Sequence, residues 1–376
     1  MNGRVIFVHP AIRPYRAHIY QGLQKNFDAK FYLIGFEAVN RRWGDFFQIK
    51  NYEILPEYRG LGYRSGINFS LLKRAWTDDY DVWIGSTLYA FSTHFIYPIV
   101  KARRKKFLLW SEDWYWGGDV LSRVATPLCK LILRGADLII VAGSKQKEFA
   151  CGNGAPEIKV RVAYNSYIPS NFMPIADKDI AKLIYQRKRF RILYLGRILE
   201  YKGLDVLIKA YAAIESRYPG KTELVVVGSG PFESLCRHLV AKMELNNVFF
   251  VGRVHPEEVP EFYRHADVFV HPCKWYARQR VRGESWGFVI NEAMSVGLPV
   301  VTTSAVGSSY DLIECGQSGC VIEPGDSDSL TQALTTLYTN ASLRRSIGRA
   351  AKTRIQAFFT PERQAADFVE AVKALL

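Results

Sequence analysis

Short apolar runs alternate with longer amphipathic stretches along most of the chain. The runs are rich in β-branched and aromatic residues, and the stretches between them have the spacing of helices with one apolar face. This alternation is typical of βαβ units, in which crossover helices join parallel strands. In the first half of the chain it predicts strands at Val5–Val8, Phe31–Ile34, Val82–Ile84, Phe107–Trp110, Leu138–Val141 and Val160–Ala163.

A second series of strands follows a break in this pattern. The break contains Pro169 and Pro174 and leads into a polar segment rich in Asp and Lys. The strands predicted after it are Arg191–Gly196, Leu224–Val227, Val248–Val251, Val268–His271, Val300–Thr302 and Gly319–Ile322. The pattern therefore predicts an α/β protein of two Rossmann-like domains, one over 1–185 with the linker included and one over 186–355. A C-terminal helix over 356–376 is a candidate to pack back on the first domain.

The composition adds one feature to this picture, an excess of basic side chains. The 376 residues carry 50 Lys and Arg against 36 Asp and Glu, a formal net charge of +14. Most of the excess lies in residues 1–185, with 26 basic and 16 acidic side chains. An anionic partner is therefore expected, and the basic first half would attract an anionic membrane surface.

Two further features bear on the compartment. The six cysteines include no Cys-x-x-Cys pair, so neither a zinc site nor a dense disulfide framework is expected, and a reducing compartment is favoured. Residues 82–100 are uncharged and precede the basic run Lys101–Lys106, which superficially resembles a membrane span. Their Gly, Ser, Thr, His and Pro residues indicate instead a strand, a polar turn and a buried helix.

The strongest constellation for chemistry is a pair of glutamates eight residues apart, Glu284 and Glu292. Gly287 between them indicates a loop that leads into a helix, with Glu284 on the loop and Glu292 in the helix. The N–H groups of Gly287, Phe288 and Val289 would then meet an anion at the helix start. Because ionised carboxylates only accept hydrogen bonds, the two glutamates suit a hydroxyl-rich ligand.

A second constellation is the turn after the first strand of the second domain, which carries Arg197 and Lys202. Ligands of open α/β sheets bind at the carboxyl ends of the strands, so these cations are well placed for a diphosphate. A third piece, the glycine-rich turn from Gly228 to Pro231, allows close backbone approach. Each piece alone also fits a solvated loop or chance spacing, and their joint order carries the interpretation.

Together these pieces resemble glycosyltransferase family 4. The matching motifs are Gly-Arg-x4-Lys-Gly from Gly196, Val-Gly-x-Gly-Pro from Val227, Val-Gly-Arg-Val from Val251, Ala-Asp-Val-Phe-Val-His-Pro from Ala266 and Glu-x7-Glu from Glu284. The resemblance implies the GT-B fold, in which two facing Rossmann-like domains hold the active site in the cleft between them. It also implies retaining transfer of a sugar from a nucleotide-sugar donor, with no metal and no other cofactor required.

The resemblance further implies residue roles. Arg197 and Lys202 match the diphosphate-binding cations, Glu284 matches the acid that holds hydroxyls of the donor sugar, and Glu292 matches the ribose-binding acid. The remaining donor contacts match Gly230, Arg253, Val254, Gly287, Phe288 and Val289, with Arg253 and Val254 as the wall of the base pocket.

The first domain departs from the family's pattern in two places. A Gly-Gly turn after the first strand is replaced by the segment from His9 to Arg16, and a family His is replaced by the segment from Trp110 to Trp116. The acceptor-side candidates are therefore His9, Arg13, Arg16, Glu112 and Asp113. The aromatic residues of the second segment form either a stacking platform or a buried patch.

The sequence thus predicts an enzyme that extends a glycan or a lipid-linked saccharide in bacterial-type cell-surface polysaccharide or glycolipid assembly. Its expected location is the cytoplasm or the cytoplasmic face of a membrane. Two other classes of protein are weaker alternatives. The first is a basic nucleic-acid-binding protein, but this chain has no RRM, KH or helix-turn-helix signature. A dinucleotide-dependent oxidoreductase would have a GxGxxG turn after Val8, which this chain lacks.

Overall fold

The computed structural model describes residues 3–10, 12–34, 48–55, 68–118, 120–166, 173–186, 189–276 and 283–376. The chain divides into two compact units. Unit 1 is Met1–Ser166 with Thr360–Leu376, and unit 2 is Tyr167–Phe359.

Unit 1 is built on a parallel sheet. Its strands are β1 Arg4–His9, β2 Asp28–Leu33, β3 Tyr52–Ile54, β4 Val82–Ser86, β5 Lys106–Ser111, β6 Leu138–Val141 and β7 Val160–Val162. Its helices are α1 Ala17–Asn26, α2 Phe69–Thr77, α3 Phe91–Ala102, α4 Val120–Gly135, α5 Ser144–Gly152 and, at the end of the chain, α14 Pro361–Lys373. Among the described residues the strands form one sheet in the order β3-β2-β1-β4-β5-β6-β7, and every neighbouring pair is parallel.

Helices cover both faces of this sheet, because its strands are apolar on both sides. Side chains such as Phe7 and Ile84 pack with α1 and α14 on one face, while Trp83 and Leu109 pack with α2, α3 and α4 on the other. The last helix is part of the first of these cores, where Phe368 lies edge-on to Trp110 with 5.0 Å between ring centroids.

Unit 2 repeats the same architecture. Its strands are β8 Phe190–Leu195, β9 Thr222–Val227, β10 Val248–Gly252, β11 Val268–His271, β12 Val300–Thr303 and β13 Cys320–Ile322. Its helices are α6 Lys178–Tyr185, α7 Leu204–Arg217, α8 Glu233–Lys242, α9 Val259–Arg264, α10 Phe288–Ser295, α11 Ser309–Leu312, α12 Ser327–Thr339 and α13 Ala341–Phe358. The described strands form one parallel sheet in the order β10-β9-β8-β11-β12-β13.

The predicted fold class of two Rossmann-like α/β domains is confirmed, and each predicted strand occurs with its ends within a few residues of the expected ones. The sequence missed β3, a polar edge strand of three residues that pairs only with β2 among the described strands. Residues 82–100 form β4 and most of the buried helix α3. The described residues contain no helix that is long and apolar enough to cross a membrane.

The boundary between the units differs from the predicted one at residue 185. Helix α6 belongs to unit 2, because its carboxyl end is tied to the first strand of that sheet. The guanidinium of Arg191 in β8 donates to the carbonyl oxygens of Leu183 at 2.7 Å and Ile184 at 3.0 Å. The end of the chain also divides differently: α13 stays in unit 2, and Thr360–Leu376 joins unit 1.

Arg191 is the buried charge that unit 2 depends on. Its side chain is fully buried, and its Nε donates to the buried carboxylate of Glu223 at 2.6 Å. The Glu223 carboxylate lies against this guanidinium in the core, so removal of Arg191 leaves a buried negative charge without its closest partner.

Arg191→Met is therefore expected to lower the free energy of unfolding by about 3–5 kcal/mol, because it strands the Glu223 carboxylate. Arg189→Met is the matched control, since Arg189 is half-exposed and 3.9 Å from the other oxygen of Glu223. Arg189→Met should lower the free energy of unfolding by less than about 1 kcal/mol. Urea unfolding of both variants tests this, and equal losses would show that the buried pair has no special weight.

Candidate active site

Four loops meet at the carboxyl edge of the unit 2 sheet. They follow β8, β9, β10 and β11, which are neighbours in the sheet and run in the same direction. Parallel strands present all their carboxyl ends at one edge, so the loops that carry the sequence-predicted residues collect there. The structure thus gathers Arg197, Lys202, Gly230, Arg253 and Val254 on one edge of a single sheet.

The loop after β8 is fixed by two close backbone contacts, and each leaves no room for a side chain. Gly203 has a φ of 73°, and a Cβ added to it would lie 1.9 Å from the carbonyl oxygen of Pro272. A Cβ on Gly230 would lie 2.2 Å from the carbonyl oxygen of Ile198. The loop after β8 therefore packs closely between the loops after β11 and β9, and this fixes the position of Lys202 beside Gly203.

Lys202 forms an ion pair with Glu284. Its ammonium donates to a carboxylate oxygen of Glu284, and both side chains are largely shielded from solvent. Burial lowers the pKa of Lys202, but the attraction and hydrogen bond of Glu284, together with smaller effects of Cys273 and Tyr201, outweigh it, and the pKa is raised overall. Arg197, the other predicted diphosphate ligand, has an exposed side chain. One predicted cation is thus held in place, and the other projects into solvent.

The backbone of Glu284 is pinned to the loop after β12. Its N–H donates to the carbonyl oxygen of Ala305 at 2.9 Å, and its own carbonyl accepts from the N–H of Gly307 at 2.9 Å. Three residues later Gly287 caps α10 with a left-handed φ of 85°, and a Cβ there would lie 3.5 Å from Cγ of Glu284. The carboxylate therefore lies beside the start of α10, as the position of Gly287 predicted.

Phe288 and Val289 are the first two residues of α10. A helix provides no internal acceptor for the N–H groups of its first turn, and its dipole makes this end attractive to anions. Both residues therefore lie at the helix start, as the position of Gly287 predicted.

Sequence reasoning missed two buried side chains at this edge, His271 and Cys273. His271 ends β11, and its Nε2 lies 3.2 Å from Sγ of Cys273. Burial, and secondarily the Lys202 ammonium, holds the pKa of His271 well below its usual range, so the ring is neutral at pH 7. Burial also raises the pKa of the Cys273 thiol. Their strand-end position was the signal that could have identified them.

His271, Cys273 and Glu284 are the group of potential metal ligands found in the described part of the chain. One donor atom from each lies within 4.8 Å of the others. The Glu284 carboxylate is already paired with the Lys202 ammonium. That positive charge opposes a second cation, so the arrangement fits an ammonium better than a metal ion.

Glu292 lies one turn into α10 and is held by Tyr263 of α9. The Tyr263 hydroxyl donates to Oε2 of Glu292 at 2.7 Å. Burial raises the pKa of Glu292 to about 7, and the hydrogen bond from Tyr263 partly offsets the rise. The carboxyl group therefore changes its charge near neutral pH. Tyr263 is a third residue that sequence reasoning missed, because nothing in the motif marks it.

At the carboxyl edge of the unit 1 sheet, three of the five acceptor-side candidates form one cluster. Arg16 donates to Glu112 at 2.7 Å, and its other terminal nitrogen lies 2.7 Å from Nε2 of His9. The guanidinium lies over the ring of Trp110 at 4.5 Å, and His9 stacks on the same ring at 5.2 Å. Trp110 itself is buried, which supports the buried patch over the stacking platform for this residue.

A buried amide network supports this cluster from behind. The side chain of Asn165 donates to Glu112 at 2.6 Å and accepts from Gln364 of α14 at 3.0 Å. Gln364 also lies 2.9 Å from Nε2 of His18. Neither amide was identified from the sequence, since Gln364 reaches the cluster from the far end of the chain.

The other two acceptor-side candidates are placed differently. Asp113 accepts from the backbone N–H of Leu88 at 3.2 Å and from the Ser111 hydroxyl at 2.9 Å, which is the role of a loop-capping residue. Arg13 has an exposed side chain, and its carbonyl accepts from the N–H of Arg16 at 2.9 Å.

The second part of the chain is similar to a known family. Residues 176–354 match the sequence model of the family described as glycosyl transferases group 1. The chain is 30% identical over 230 residues to an uncharacterized glycosyltransferase of Methanocaldococcus jannaschii, covering 57% of this chain and 54% of the relative. It is 29% identical over 185 residues to the O-antigen chain mannosyltransferase C of Escherichia coli, covering 49% of this chain and 46% of the relative. The chain thus spans about half the length of these relatives.

Solved structures match over the whole chain. The Anabaena protein HepE in complex with UDP superposes with a TM-score of 0.80 at 19% identity and covers 100% of both chains. A sucrose-phosphate synthase from Thermosynechococcus elongatus superposes with a TM-score of 0.72 at 19% identity, covering 99% of each chain. These likenesses establish the fold, and residues 176–354 are similar to the glycosyl transferases group 1 family.

Gly203→Ala is expected to destabilise unit 2 and to displace the Lys202 loop, because the added Cβ would overlap the Pro272 carbonyl. The matched control is Gly220→Ala, which has a similar φ of 69° with nothing within 4 Å of the added Cβ. The control should cost about 1–2 kcal/mol from backbone strain alone, and Gly203→Ala clearly more. Equal urea midpoints for the two variants would rule out the close approach.

Proposed function

We propose that this chain is a retaining, metal-independent glycosyltransferase. It moves a sugar from a nucleotide-diphosphate donor to a glycan or lipid-linked saccharide in cell-surface polysaccharide or glycolipid assembly. The observation that carries the proposal is the Lys202–Glu284 ion pair at the start of α10, within a segment that matches a glycosyltransferase family. Relatives named as O-antigen and capsular polysaccharide glycosyltransferases support the proposed pathway class.

The ion pair provides both halves of a donor site. A bound diphosphate would compete with Glu284 for the Lys202 ammonium, and Arg197 is exposed and able to close on it as a planar fork. Glu284 would then be available to accept hydrogen bonds from hydroxyls of the donor sugar. On donor binding, the contact between Lys202 and Glu284 would be replaced by a lysine–phosphate contact and a glutamate–hydroxyl contact. Both charges are already largely shielded from solvent, so little further desolvation is needed.

The rest of the nucleotide is assigned to neighbouring residues. Glu292, held by Tyr263, would accept hydrogen bonds from the ribose. Arg253 and Val254 follow β10 and would form a wall of the base pocket, with Gly230 giving close backbone access. The amides of Phe288 and Val289 at the start of α10 would contact the sugar or phosphate.

In the proposed reaction the bond between the anomeric carbon and the diphosphate oxygen breaks, and its electron pair stays on that oxygen. Lys202, Arg197 and the start of α10 stabilise the developing negative charge. The acceptor hydroxyl oxygen bonds to the anomeric carbon on the same face, and its proton passes to the leaving phosphate. His9, Arg16 and Glu112 of unit 1 are the proposed acceptor-side residues, with Arg13 and Asp113 more peripheral.

No metal is assigned to this chemistry, because Lys202, Arg197 and the start of α10 would supply the positive charge that the leaving diphosphate needs. The proposed location is the cytoplasm or the cytoplasmic face of a membrane. The family match favours this function over nucleic-acid binding and over dinucleotide-dependent oxidation. The latter is further disfavoured because β1 is followed by Pro10 rather than by a glycine-rich turn.

Lys202→Met and Glu284→Gln are each expected to lower the transfer rate by about 100- to 1000-fold, the usual loss when one charge-stabilising group is removed. The rate is measured against a panel that includes UDP-glucose and GDP-mannose, with and without a chelator. Lys242→Met, an exposed lysine of the same unit, is the control and should keep full activity. Full activity of the Lys202 or Glu284 variants would contradict the assigned roles, and no response to any nucleotide sugar would contradict the proposal.

The pKa of Glu292 predicts how nucleotide binding depends on pH. With a raised pKa of about 7, the carboxyl is protonated at pH 6 and ionised at pH 8, and only the ionised form is a full acceptor for ribose hydroxyls. The affinity for nucleoside diphosphates should therefore rise by up to about tenfold from pH 6 to pH 8.

Isothermal titration with UDP and GDP measures this affinity. The ligand's own phosphate also titrates in this range, and this affects the unmodified chain and Glu292→Gln equally. Glu292→Gln is therefore the reference, and its affinity should lack the additional rise that Glu292 causes. A variant with the same pH profile as the unmodified chain would show that Glu292 does not contact the ligand.

A further inference from the structure

Three neighbouring helices of unit 1 expose apolar side chains on their outer faces. On α2 these are Phe69 and Trp76, on α3 Phe95, and on α4 Val120, Val124 and Leu131, with exposed fractions between 44% and 74%. Single exposed apolar residues are normal on a protein surface, but a contiguous set indicates an interaction site. We call these six residues and the helices that carry them the apolar face.

Ring contacts connect the exposed side chains of α2 and α3, and helix packing places α4 beside them. Phe91 stacks on Phe95 with 4.3 Å between ring centroids, and Phe69 of α2 lies 6.3 Å from Phe91, edge-on. Helix α3 packs against both α2 and α4, so it lies between them. On α4 the exposed residues Val120, Val124 and Leu131 are separated by four and seven positions, which places them on one side of the helix.

The charges on these helices all have one sign. Lys73 and Arg74 of α2, Lys101 of α3, and Arg123, Lys130 and Arg134 of α4 are their charged residues, and none of the three helices carries Asp or Glu. Arg74 and Lys101 are engaged by Glu53 at 2.8 Å and Asp137 at 3.0 Å. Lys73, Arg123 and Arg134 have exposed side chains next to the apolar residues.

We propose that the apolar face docks on an anionic lipid bilayer. Phe69, Trp76 and Phe95 would enter the boundary between headgroups and acyl chains, while the exposed cations contact lipid phosphates. A second copy of the chain is a poorer fit, because two such faces would bring six exposed cations together with no carboxylate from these helices. The docking face extends the proposed function to a lipid surface, where a lipid-linked acceptor would be found.

The test is co-sedimentation of the full chain with vesicles of 70% phosphatidylcholine and 30% phosphatidylglycerol, which requires no sugar transfer. Binding is expected to these vesicles, to weaken as salt is raised, and to be at least tenfold weaker to pure phosphatidylcholine. The double variant Phe95→Ser/Val124→Ser should bind at least tenfold more weakly than the unmodified chain. Arg123→Gln should bind about fivefold more weakly, from about 1 kcal/mol per cation.

The matched control is Ile158→Ser, because Ile158 is 91% exposed in unit 1 but lies outside the three helices. It should bind as the unmodified chain does. The proposal is overturned if the unmodified chain does not bind anionic vesicles, or if the double variant binds like the control. It is also overturned if light scattering without lipid finds a dimer that the double variant abolishes. If the double variant does not fold by circular dichroism, Arg123→Gln and the salt dependence decide the outcome.

Sugar transfer to a soluble acceptor separates this inference from the proposed function. The double variant should retain that activity while it loses vesicle binding. An inactive chain that still binds vesicles would contradict the proposed function and leave the docking face supported.

Discussion

The parallel direction of the strands is the constraint on which both units depend. In a parallel sheet every carboxyl end lies at the same edge, and each connection must return through a helix. The residues after β8, β9, β10 and β11 therefore collect at one edge of unit 2, although up to about eighty residues separate them in sequence. The same rule brings His9, Arg16 and Glu112 together in unit 1. Site formation follows from topology before any side-chain contact is made.

Within unit 2 the proposed donor site depends on the Lys202–Glu284 pair. Close backbone contact at Gly203 fixes the lysine, and the loop after β12 fixes the glutamate. The two charges compensate each other without a ligand. Under the proposed function a nucleotide sugar would replace both partners, with phosphate at Lys202 and hydroxyls at Glu284. Neutral His271 and protonated Cys273 lie beside the pair and add no charge that would compete.

The sequence predicted the parts that local patterns determine, and it missed those that depend on the folded chain. Apolar runs identified the strands of both sheets, while β3 was missed because its three residues contain no such run. Gly287 correctly indicated the start of α10, and the motifs mark both Glu284 and Lys202, which the structure brings into contact. Tyr263, Asn165 and Gln364 were missed because each acts through a residue distant in sequence. The boundary at residue 185 differed because the polar segment before β8 is tied to that strand by the buried side chain of Arg191.

The most direct test of the central claim is a crystal structure of the chain soaked with a nucleotide sugar. The account predicts that the diphosphate lies against Lys202 and Arg197 at the start of α10, with the ribose at Glu292 and the sugar hydroxyls at Glu284. In that complex the Lys202 ammonium would contact phosphate and no longer be paired with Glu284 alone. A nucleotide sugar bound elsewhere on the chain, or an unchanged ion pair with no ligand density at saturating concentration, would contradict it.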